Sequence, residues 1–246
     1  MKDRIVLVTG GIGDIGTAIC HEFIKNDAKA IAADHIDQEK AAVWQASQKQ
    51  QGFDIGYVQV DVTDFQNCKK MAETVEKQWG PVDILVNAAG TINDASFRKM
   101  TPKQWTQVVH TDLDSMFNVT KQFIESMIQR HYGRIINISS VSAQKGQFGQ
   151  TNYASAKSGI YGFTKSLALE TAKYGITVNS ISPGFVESKM VMSIPEEVRE
   201  KIIASIPVGR LAKPEEIAWA ILFLASENSA FITGSNLAIN GGIHLY

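Results

Sequence analysis

Short apolar runs rich in β-branched residues alternate along this chain with longer stretches of amphipathic pattern. The short runs predict buried strands, and the amphipathic stretches between them predict helices. Near-continuous apolar strands that alternate with helices are typical of a parallel sheet covered on both faces. The predicted strands are 4–9, 30–33, 55–60, 84–86, 134–138, 177–181 and 237–239.

No linker, charge block or repeat interrupts this alternation, and the six prolines stand singly, mostly at predicted element ends. We therefore expect one α/β domain over residues 1–246, with a Rossmann-like, doubly wound parallel sheet of seven strands and helices on both faces. The least regular stretch, from Ser182 to Pro207, follows the sixth strand. Its position at the carboxyl edge of the sheet predicts a lid over a ligand.

Charge and composition exclude several functional classes. The chain has 24 Lys and Arg against 25 Asp and Glu, and this balance gives no field that attracts nucleic acid. The longest strongly apolar stretch, 218–225, is far shorter than the roughly 20 residues of a membrane span. The apolar run near the N-terminus is too short for a signal peptide. We expect a cytoplasmic protein with no nucleic-acid or membrane partner.

The chain shows no pattern of metal ligands. Its two cysteines, Cys20 and Cys68, lie in different predicted helices, and its five histidines are scattered. None has the spacing of a metal or redox site. We expect buried cysteines and no metal.

A glycine-rich turn, Gly11-x-Gly13-x-x-Gly16, connects the first predicted strand to the first predicted helix. Glycines there let the backbone approach a pyrophosphate, whose charge is stabilised by the free N–H groups of the helix N-terminus. Its place between strand and helix favours a dinucleotide-binding site. The predicted contacts in the turn are Gly10, Gly11, Ile12, Gly13, Ile15 and Gly16.

Asp34 ends the second predicted strand, near the spacing of about 20 residues expected for the group that binds the adenosine ribose. Its carboxylate can accept hydrogen bonds from both ribose hydroxyls, whereas a 2′-phosphate would bring about two negative charges against it. We therefore expect NADH to be the preferred reductant, with NADPH possible.

Three side chains form a predicted catalytic group. Tyr153 and Lys157 lie four positions apart in a helical pattern and share one face. A nearby ammonium stabilises the anion of a phenol, which makes the phenol usable as an acid–base group near neutral pH. Ser140 follows the fifth strand, so its hydroxyl can donate to a substrate carbonyl beside the Tyr153 proton.

In this order the motifs resemble the short-chain dehydrogenase/reductase family over essentially the whole chain. The residues that carry the resemblance are Thr9 with Gly10 to Gly16, Asn87-Ala88-Ala89-Gly90, Ser140, Tyr153-x-x-x-Lys157 and Pro183-Gly184. The resemblance implies that hydride moves from a nicotinamide to a carbonyl carbon. Tyr153 would be the general acid, Ser140 would orient the carbonyl, and Lys157 would lower the pKa of Tyr153 and bind ribose.

The resemblance also implies a nucleotide-binding half of about residues 1–90 and a catalytic and substrate half of about residues 91–246. Asp61 and Val62 would contact adenine, and Val186 with Ser188 would hold the carboxamide. The other implied cofactor contacts are Asn87, Ala88, Ala89, Gly90, Pro183 and Gly184.

Two positions depart from the family pattern. Asp14 replaces a glycine of Thr-Gly-x-x-x-Gly-x-Gly and would weaken pyrophosphate binding unless it turns outward; we expect an outward, helix-capping carboxylate. Asp112 stands where most relatives have an asparagine whose helix kink supports a water relay to Lys157, and it is the fourth catalytic candidate. Its charge is expected to alter the pH profile through Lys157 and Tyr153.

Four runs, 97–101, 115–122, 144–153 and 240–244, resemble the acetoacetyl-CoA reductases of polyhydroxybutyrate synthesis. They imply reduction of a short-chain 3-oxoacyl-CoA to the (R)-3-hydroxyacyl-CoA. Gln147, Phe148 and Gln150 would flank the acyl chain, and a loop-packing role for them stays open. Those reductases generally use NADPH, so Asp34 indicates either an NADH-dependent branch or a looser similarity of substrate.

Two other functions stay open. A 3-oxoacyl-[acyl-carrier-protein] reductase of fatty acid synthesis would perform the same chemistry on a substrate carried by an acidic protein. The residues that could form a basic patch for this carrier are Arg98, Lys99, Arg130 and Lys173. A catalytically silent nucleotide-binding scaffold is a remote alternative, supported only by Asp14 and Asp112.

The patterns over 102–129 and 153–173 carry apolar residues on more than one face, which indicates burial beyond the core of one chain. Family relatives use these two helices and the C-terminal strand to build homotetramers. We expect the same assembly here.

Overall fold

The computed structural model describes residues 1–245, and within them seven strands form one parallel sheet. The strands are β1 Ile5–Thr9, β2 Lys29–Asp34, β3 Gly56–Gln59, β4 Ile84–Asn87, β5 Gly133–Ile138, β6 Ile176–Pro183 and β7 Asn236–Ile239. Their order across the sheet is β3-β2-β1-β4-β5-β6-β7, with every neighbouring pair parallel. The predicted single-domain, doubly wound α/β fold is confirmed.

The central strands are buried on both faces, because their side chains alternate between two apolar layers. Val6 and Val8 of β1 pack into the layer that contains Phe23, while Leu7 packs into the opposite layer with Phe123. This explains why the strands read as continuous apolar runs rather than as alternating ones.

Strand bounds differ from the predicted ones by up to two residues, and pairing accounts for the two largest differences. β3 is shorter at both ends because its ladder with β2 covers only Gly56 to Gln59. β6 extends beyond the predicted Ile181, because Ser182 and Pro183 pair with β7.

Helices connect the strands and cover both faces of the sheet. They are α1 Asp14–Lys25, α2 Gln38–Gln50, α3 Phe65–Trp79, α4 Pro102–Val109, α5 Ser115–Arg130, α6 Val141–Lys145, α7 Thr151–Thr171, α8 Lys189–Met192, α9 Glu196–Ala204 and α10 Pro214–Ala225. None of the helices within residues 1–245 has the length and apolar character needed to cross a membrane.

α4 and α5 are joined by a π-helical turn, His110–Asp114, so that 102–130 runs as one helix with a widened turn in its middle. Such turns often occur at functional sites. Thr101 caps the helix in a reciprocal pair of bonds with Gln104, which fixes where it begins. The kink expected at Asp112 is this π-helical turn.

The stretch 182–207 is more regular than expected, because it contains α8 and α9. The side chain of Ser188 accepts from the Val191 N–H and starts α8, and Pro195 stands directly before α9. The breaks in the apolar pattern are therefore helix starts. The segment packs through its own small apolar cluster, which includes Val191, Ile206 and Leu211.

Candidate active site

A cavity of about 980 Å³ opens where β1 to β5 end, at the carboxyl edge of the sheet. Ligands of open α/β sheets bind at this edge. The predicted site residues that line the cavity are Gly10, Gly13, Ile15, Gly16, Asp34, Asp61, Val62, Ala88, Ala89, Gly90, Asp112, Tyr153, Lys157 and Ser188. Asp14, which was expected to turn outward, lines it as well. The predicted residues outside its lining are Gly11, Ile12, Asn87, Ser140, Gln147, Phe148, Gln150, Pro183, Gly184 and Val186.

A second cavity, of about 780 Å³, lies beyond the amino ends of β1 and β4, around Arg4, Asp83 and Trp219. None of the predicted site residues lines it. The predicted site residues that line a cavity therefore all line the first one.

The glycine turn after β1 is fixed by close backbone contacts. A Cβ on Gly16 would lie 2.2 Å from the carbonyl oxygen of Gly10, and one on Gly11 would lie 2.6 Å from Ala32. Gly10 itself has a φ of +65°, a conformation that side chains disfavour. Gly11 is thus required by its contact with β2, while Gly10 and Gly16 shape the cavity.

Thr9 connects this turn to the end of β4. Its Oγ1 accepts hydrogen bonds from the main-chain N–H groups of Ala88 and Ala89, at 3.0 and 3.1 Å. The two loops that would flank a nucleotide are therefore held together by one hydroxyl. The sequence motif includes Thr9, but the motif alone did not indicate this role.

Asp34 lies at the end of β2 with its carboxylate largely buried. Oδ1 accepts the main-chain N–H of His35 at 2.8 Å, and Oδ2 lies 3.4 Å from the N–H of Ile12 in the glycine turn. The imidazole of His35 lies 3.0 Å from the same carboxylate. Asp34 is thereby positioned at the cavity wall where the turn approaches β2.

Asp61 lines the cavity but binds its own turn. Oδ1 accepts from the N–H and the hydroxyl of Thr63, at 2.9 and 2.7 Å. The carbonyl of Val62 accepts from Asn118 of α5 at 3.0 Å. These bonds fix the loop after β3 along the cavity rim.

Asp14 does not cap α1, contrary to expectation. The cap residue is Gly13, which makes no side-chain bond, and Oδ2 of Asp14 accepts the main-chain N–H of Lys189 at 2.6 Å. The carboxylate therefore crosses to the start of α8 and stays in the cavity lining. Asp14 still stands in the first turn of α1, where a negative charge stabilises the helix.

Replacing Asp14 by asparagine is expected to tighten NADH binding about fivefold. The amide keeps an acceptor for the Lys189 N–H, while the loss of one charge near a pyrophosphate removes repulsion of about 1 kcal/mol. Isothermal titration calorimetry measures the Kd. Asp27→Asn, at an exposed position just beyond the C-terminal end of α1, is the matched control and should leave the Kd unchanged. Unchanged or weaker binding in the Asp14 variant would contradict this role.

Tyr153 and Lys157 lie on the first turns of α7, on the face that lines the cavity. The Lys157 Nζ lies 5.5 Å from the centre of the Tyr153 ring and donates to the carbonyl of Ile138 at 3.0 Å. Asn152 is fully buried and holds the start of the helix, because its amide donates to the carbonyls of Asn93 and Gln104. Asn152 therefore positions Tyr153, a role that the motif did not indicate.

A buried ion pair joins α7 to the π-helical turn. Oδ2 of Asp112 lies 3.1 Å from Nζ of Lys157, and both side chains are almost inaccessible to solvent. Burial raises the pKa of the Asp112 carboxyl above its ordinary value, although Lys157 opposes the shift. Burial alone would lower the pKa of Lys157, but the neighbouring Asp112 and Tyr153 outweigh it and raise it.

The pKa of Tyr153 is raised, whereas the resemblance implied that Lys157 would lower it. Burial is the main cause, the ammonium of Lys157 and a hydrogen bond with Ser140 oppose it, and the carboxylate of Asp112 adds to the rise. The interaction with Lys157 has the expected direction, but the net shift is upward.

Ser140 stands directly after β5, and its Oγ accepts the N–H of Ser142 at 3.1 Å, which starts α6. The same hydroxyl lies close enough to Tyr153 to lower the pKa of that phenol, although the net shift is upward. The structure therefore brings Ser140, Tyr153 and Lys157 together, as the sequence predicted.

The predicted substrate residues lie outside the cavity. The amide of Gln150 is already bonded to the hydroxyl of Ser142 and to Asp94, and Gln147 accepts from Lys145. Phe148 is 88% exposed. Gln150 therefore ties α6 to α7 and is not free for a thioester, which is the loop-packing role left open above.

Asn87 faces into the sheet, whereas the resemblance placed it beside adenosine. Its amide donates to Thr120 and to Asn137 of β5, and Asn137 donates in turn to Thr164 of α7. This chain of buried side chains fixes α5 and α7 against the sheet. The sequence signal that could have identified Asn137 is its amide side chain within the apolar run of β5.

The segment after β6 turns sharply toward β7. Gly184 donates to the carbonyl of Ile239, and a Cβ on it would lie 2.9 Å from Asn240. Val186 is buried in the core, so only its main chain is available to a cofactor. Ser188 is the one predicted residue of this segment in the cavity lining.

Comparison with known proteins gives matches over nearly the whole chain. The family model described as "Enoyl-(Acyl carrier protein) reductase" matches residues 11–244. An acetoacetyl-CoA reductase of Allochromatium vinosum is 48% identical over 99% of both chains, and the 3-oxoacyl-[acyl-carrier-protein] reductase FabG of Thermotoga maritima is 38% identical over 99% of this chain and 98% of its own. A solved structure, "Crystal structure of gox2181", matches with a TM-score of 0.93 and 30% identity, covering 99% of this chain and 96% of that one.

The fold, the cavity at the carboxyl edge and these full-length similarities agree with one another. The chain belongs to the short-chain dehydrogenase/reductase family of NAD(P)-dependent oxidoreductases.

Proposed function

We propose that this chain is an acetoacetyl-CoA reductase, which converts acetoacetyl-CoA to the (R)-3-hydroxyacyl-CoA with NADH. The observation that carries the proposal is the meeting of Ser140, Tyr153 and Lys157 beside the glycine turn, in a chain 48% identical to an acetoacetyl-CoA reductase over nearly its full length. Two hydroxyls that converge beside a buried ammonium suit a carbonyl oxygen that gains charge and a proton.

The cavity fits a nicotinamide dinucleotide. Close contacts leave no room for a Cβ on Gly16, so the turn presents bare backbone, and no side chain caps the N–H groups that begin α1 at Gly13. The carboxylate of Asp34 lies at the next strand end, in reach of a ribose in this cavity. When bound, the reduced nicotinamide supplies hydride to the carbonyl carbon.

The side chains of Ser140 and Tyr153 act on the carbonyl oxygen of the substrate. The Ser140 hydroxyl donates a hydrogen bond to it, and Tyr153 transfers its phenolic proton to the same oxygen as negative charge develops there. The Lys157 ammonium stabilises the phenolate that remains. One of its three N–H donors bonds to the carbonyl of Ile138 and Oδ2 of Asp112 lies 3.1 Å from the ammonium, so a donor is left for a ribose hydroxyl.

We infer that Asp34 makes NADH the preferred cofactor. Asp34→Ala is expected to raise the ratio of kcat/KM with NADPH to kcat/KM with NADH by at least about tenfold, because it removes a charge that repels a 2′-phosphate. Steady-state rates with both cofactors measure the ratio. Asp54→Ala removes an exposed carboxylate outside the cavity and should leave the ratio unchanged. A wild-type enzyme without preference for NADH would refute the inference.

A 3-oxoacyl-[acyl-carrier-protein] reductase is the second candidate, favoured by the 38% identity to FabG. The four basic residues that could form a patch for the carrier do not lie together. Arg130 binds Asp83 and the carbonyl of Val82 before β4, and Lys173 lies just before β6, so both lie at the amino edge, away from the cavity. Of the four basic residues only Arg98 and Lys99 remain on the catalytic side.

A comparison of substrates separates the two candidates. Acetoacetyl-CoA and the same acyl group on a carrier protein are each assayed with NADH and with NADPH. We expect the highest kcat/KM with acetoacetyl-CoA and NADH. A higher kcat/KM for the carrier-linked substrate would favour the second candidate, and tight cofactor binding without turnover of either would favour a silent scaffold.

We further propose a cytoplasmic homotetramer. The helix over 102–130 and α7 carry exposed large apolar side chains, among them Trp105, Phe117 and Leu169. Leu237 of β7 is exposed as well. Apolar surface on these elements supports their burial between copies of the chain.

A further inference from the structure

A fully buried carboxylate faces the catalytic lysine. Asp112 has no exposed side-chain area, its Oδ2 lies 3.1 Å from Nζ of Lys157, and its Oδ1 accepts the main-chain N–H of Thr91 at 2.8 Å. Removing a carboxylate from water is costly unless it is paired and hydrogen-bonded. Asp112 meets both conditions, and the ammonium is its partner.

Neighbouring backbone packs closely around the ion pair of Asp112 and Lys157. The π-helical turn carries Asp112 at its centre, and Gly90 of the loop after β4 lies against the pair. A Cβ on Gly90 would lie 3.0 Å from Oδ2 of Asp112 and 3.3 Å from Nζ of Lys157. Gly90 therefore has no room for a side chain beside this pair.

The charges around Tyr153 come from every element packed against it. α7 supplies Lys157 and the π-helical turn supplies Asp112, which offsets the ammonium. The loop after β4 supplies Asp94, whose carboxylate is held by the Gln150 amide at 2.9 Å, and the end of β5 supplies only the neutral Ser140 hydroxyl. The raised pKa of Tyr153 comes mainly from burial, while Asp112 and Asp94 add to the rise and Lys157 and Ser140 oppose it.

We propose that Asp112 is a positioning residue that holds Lys157 in a neutral ion pair and thereby keeps the proton on Tyr153 into the alkaline range, which favours carbonyl reduction over alcohol oxidation. The proposal rests on the proposed function. In reduction the phenol must carry a proton to give to the carbonyl oxygen as hydride reaches the carbon. In oxidation the phenolate must take the proton from the alcohol as hydride leaves, so retention of the phenol proton limits that direction.

Asp112→Asn tests the proposal because the amide keeps the shape and an acceptor but loses the charge. The alkaline limb of kcat against pH for acetoacetyl-CoA reduction, above which activity falls as Tyr153 loses its proton, is expected to move down by about one pH unit. The rising limb for oxidation of the 3-hydroxyacyl-CoA should move down equally. Asp114→Asn, two residues along on the exposed face beside His110, is the matched control and should move neither limb.

If the alkaline limb of kcat against pH stays at its wild-type position in Asp112→Asn, and kcat is lowered equally at all pH values, the proposal is overturned. Asp112 would then have a purely structural role. Asp112→Ser repeats the test without the charge should the asparagine variant not fold. A readout without substrate is the ultraviolet difference titration of tyrosinate, corrected with Tyr153→Phe, in which the Tyr153 transition should also move down. No turnover of acetoacetyl-CoA by the wild type, together with a shifted tyrosinate titration, would refute the proposed function but not this inference.

Discussion

Replacing Tyr153 by phenylalanine is expected to lower kcat for acetoacetyl-CoA reduction about 10³-fold, within the range by which positioned general acids accelerate reactions. The ring remains beside Lys157, but the hydroxyl and the proton it would donate are lost. The Kd for NADH should change by less than about threefold, because the ammonium, the glycine turn and Asp34 are untouched. Steady-state kinetics and calorimetry measure the two quantities.

Tyr161→Phe is the matched control, since Tyr161 lies on the same helix and its hydroxyl bonds to Ser182 at 2.8 Å. Loss of this bond should cost about 1 kcal/mol of folding free energy and less than about tenfold in kcat. If Tyr153→Phe kept the wild-type kcat, or fell no further than Tyr161→Phe, Tyr153 would not be the general acid.

Gly16→Ala is expected to lower the free energy of unfolding by about 3 kcal/mol and to weaken NADH binding about 100-fold. The new Cβ would lie 2.2 Å from the Gly10 carbonyl oxygen, a main-chain atom that can move only if the turn opens. Opening the turn displaces the N–H groups that would face the pyrophosphate. Urea unfolding and calorimetry with NADH measure the two effects.

Gly13→Ala is the control within the same turn. Gly13 has a φ of -62°, which alanine adopts freely, and a Cβ there meets only the Gly10 carbonyl oxygen, at 3.3 Å. We expect a loss of less than about 1 kcal/mol and less than about tenfold in NADH affinity. Equal losses of stability and of NADH affinity in Gly13→Ala and Gly16→Ala would show that lack of space is not the reason why Gly16 must be glycine.

The fold could be predicted because its signals are local. Each central strand is a short β-branched run, and parallel strands buried on both faces need no alternation of polar and apolar positions. The turn at Gly16, the carboxylate at Asp34 and the pair Tyr153 and Lys157 follow from their places at strand and helix ends. The apolar pattern alone did not predict strand ends that are set by pairing with a neighbouring strand, such as the end of β6 at Pro183.

Side-chain partners distant in sequence could not be predicted in the same way. Asp14 bonds to Lys189, and Asn87 bonds to Asn137, across parts of the chain that meet only in the folded sheet. Arg130 was grouped with a surface patch because its charge is visible in the sequence and its bond to Asp83 is not. Motifs therefore predicted the candidate reacting groups, while the structure showed what holds them.

The net effect of buried charges also required the structure. The spacing of Tyr153 and Lys157 predicts a stabilised phenolate, but it does not reveal how deeply the phenol is buried or that Asp112 offsets the ammonium. Proximity of opposite charges lowers the pKa of an acid, whereas burial raises it, and only the three-dimensional arrangement shows which effect is larger.

The most direct test of the proposed reaction is to follow the hydride that is transferred from NADH. NADH carrying deuterium in the transferred position at C4 of the nicotinamide is mixed with acetoacetyl-CoA and the wild-type enzyme, and the acyl product is analysed by mass spectrometry and chiral chromatography. Hydride transfer from NADH with Tyr153 as general acid predicts (R)-3-hydroxybutyryl-CoA with one deuterium at C3, formed about 10³-fold more slowly by Tyr153→Phe. A product without deuterium at C3, or equal formation by the two proteins, would contradict it.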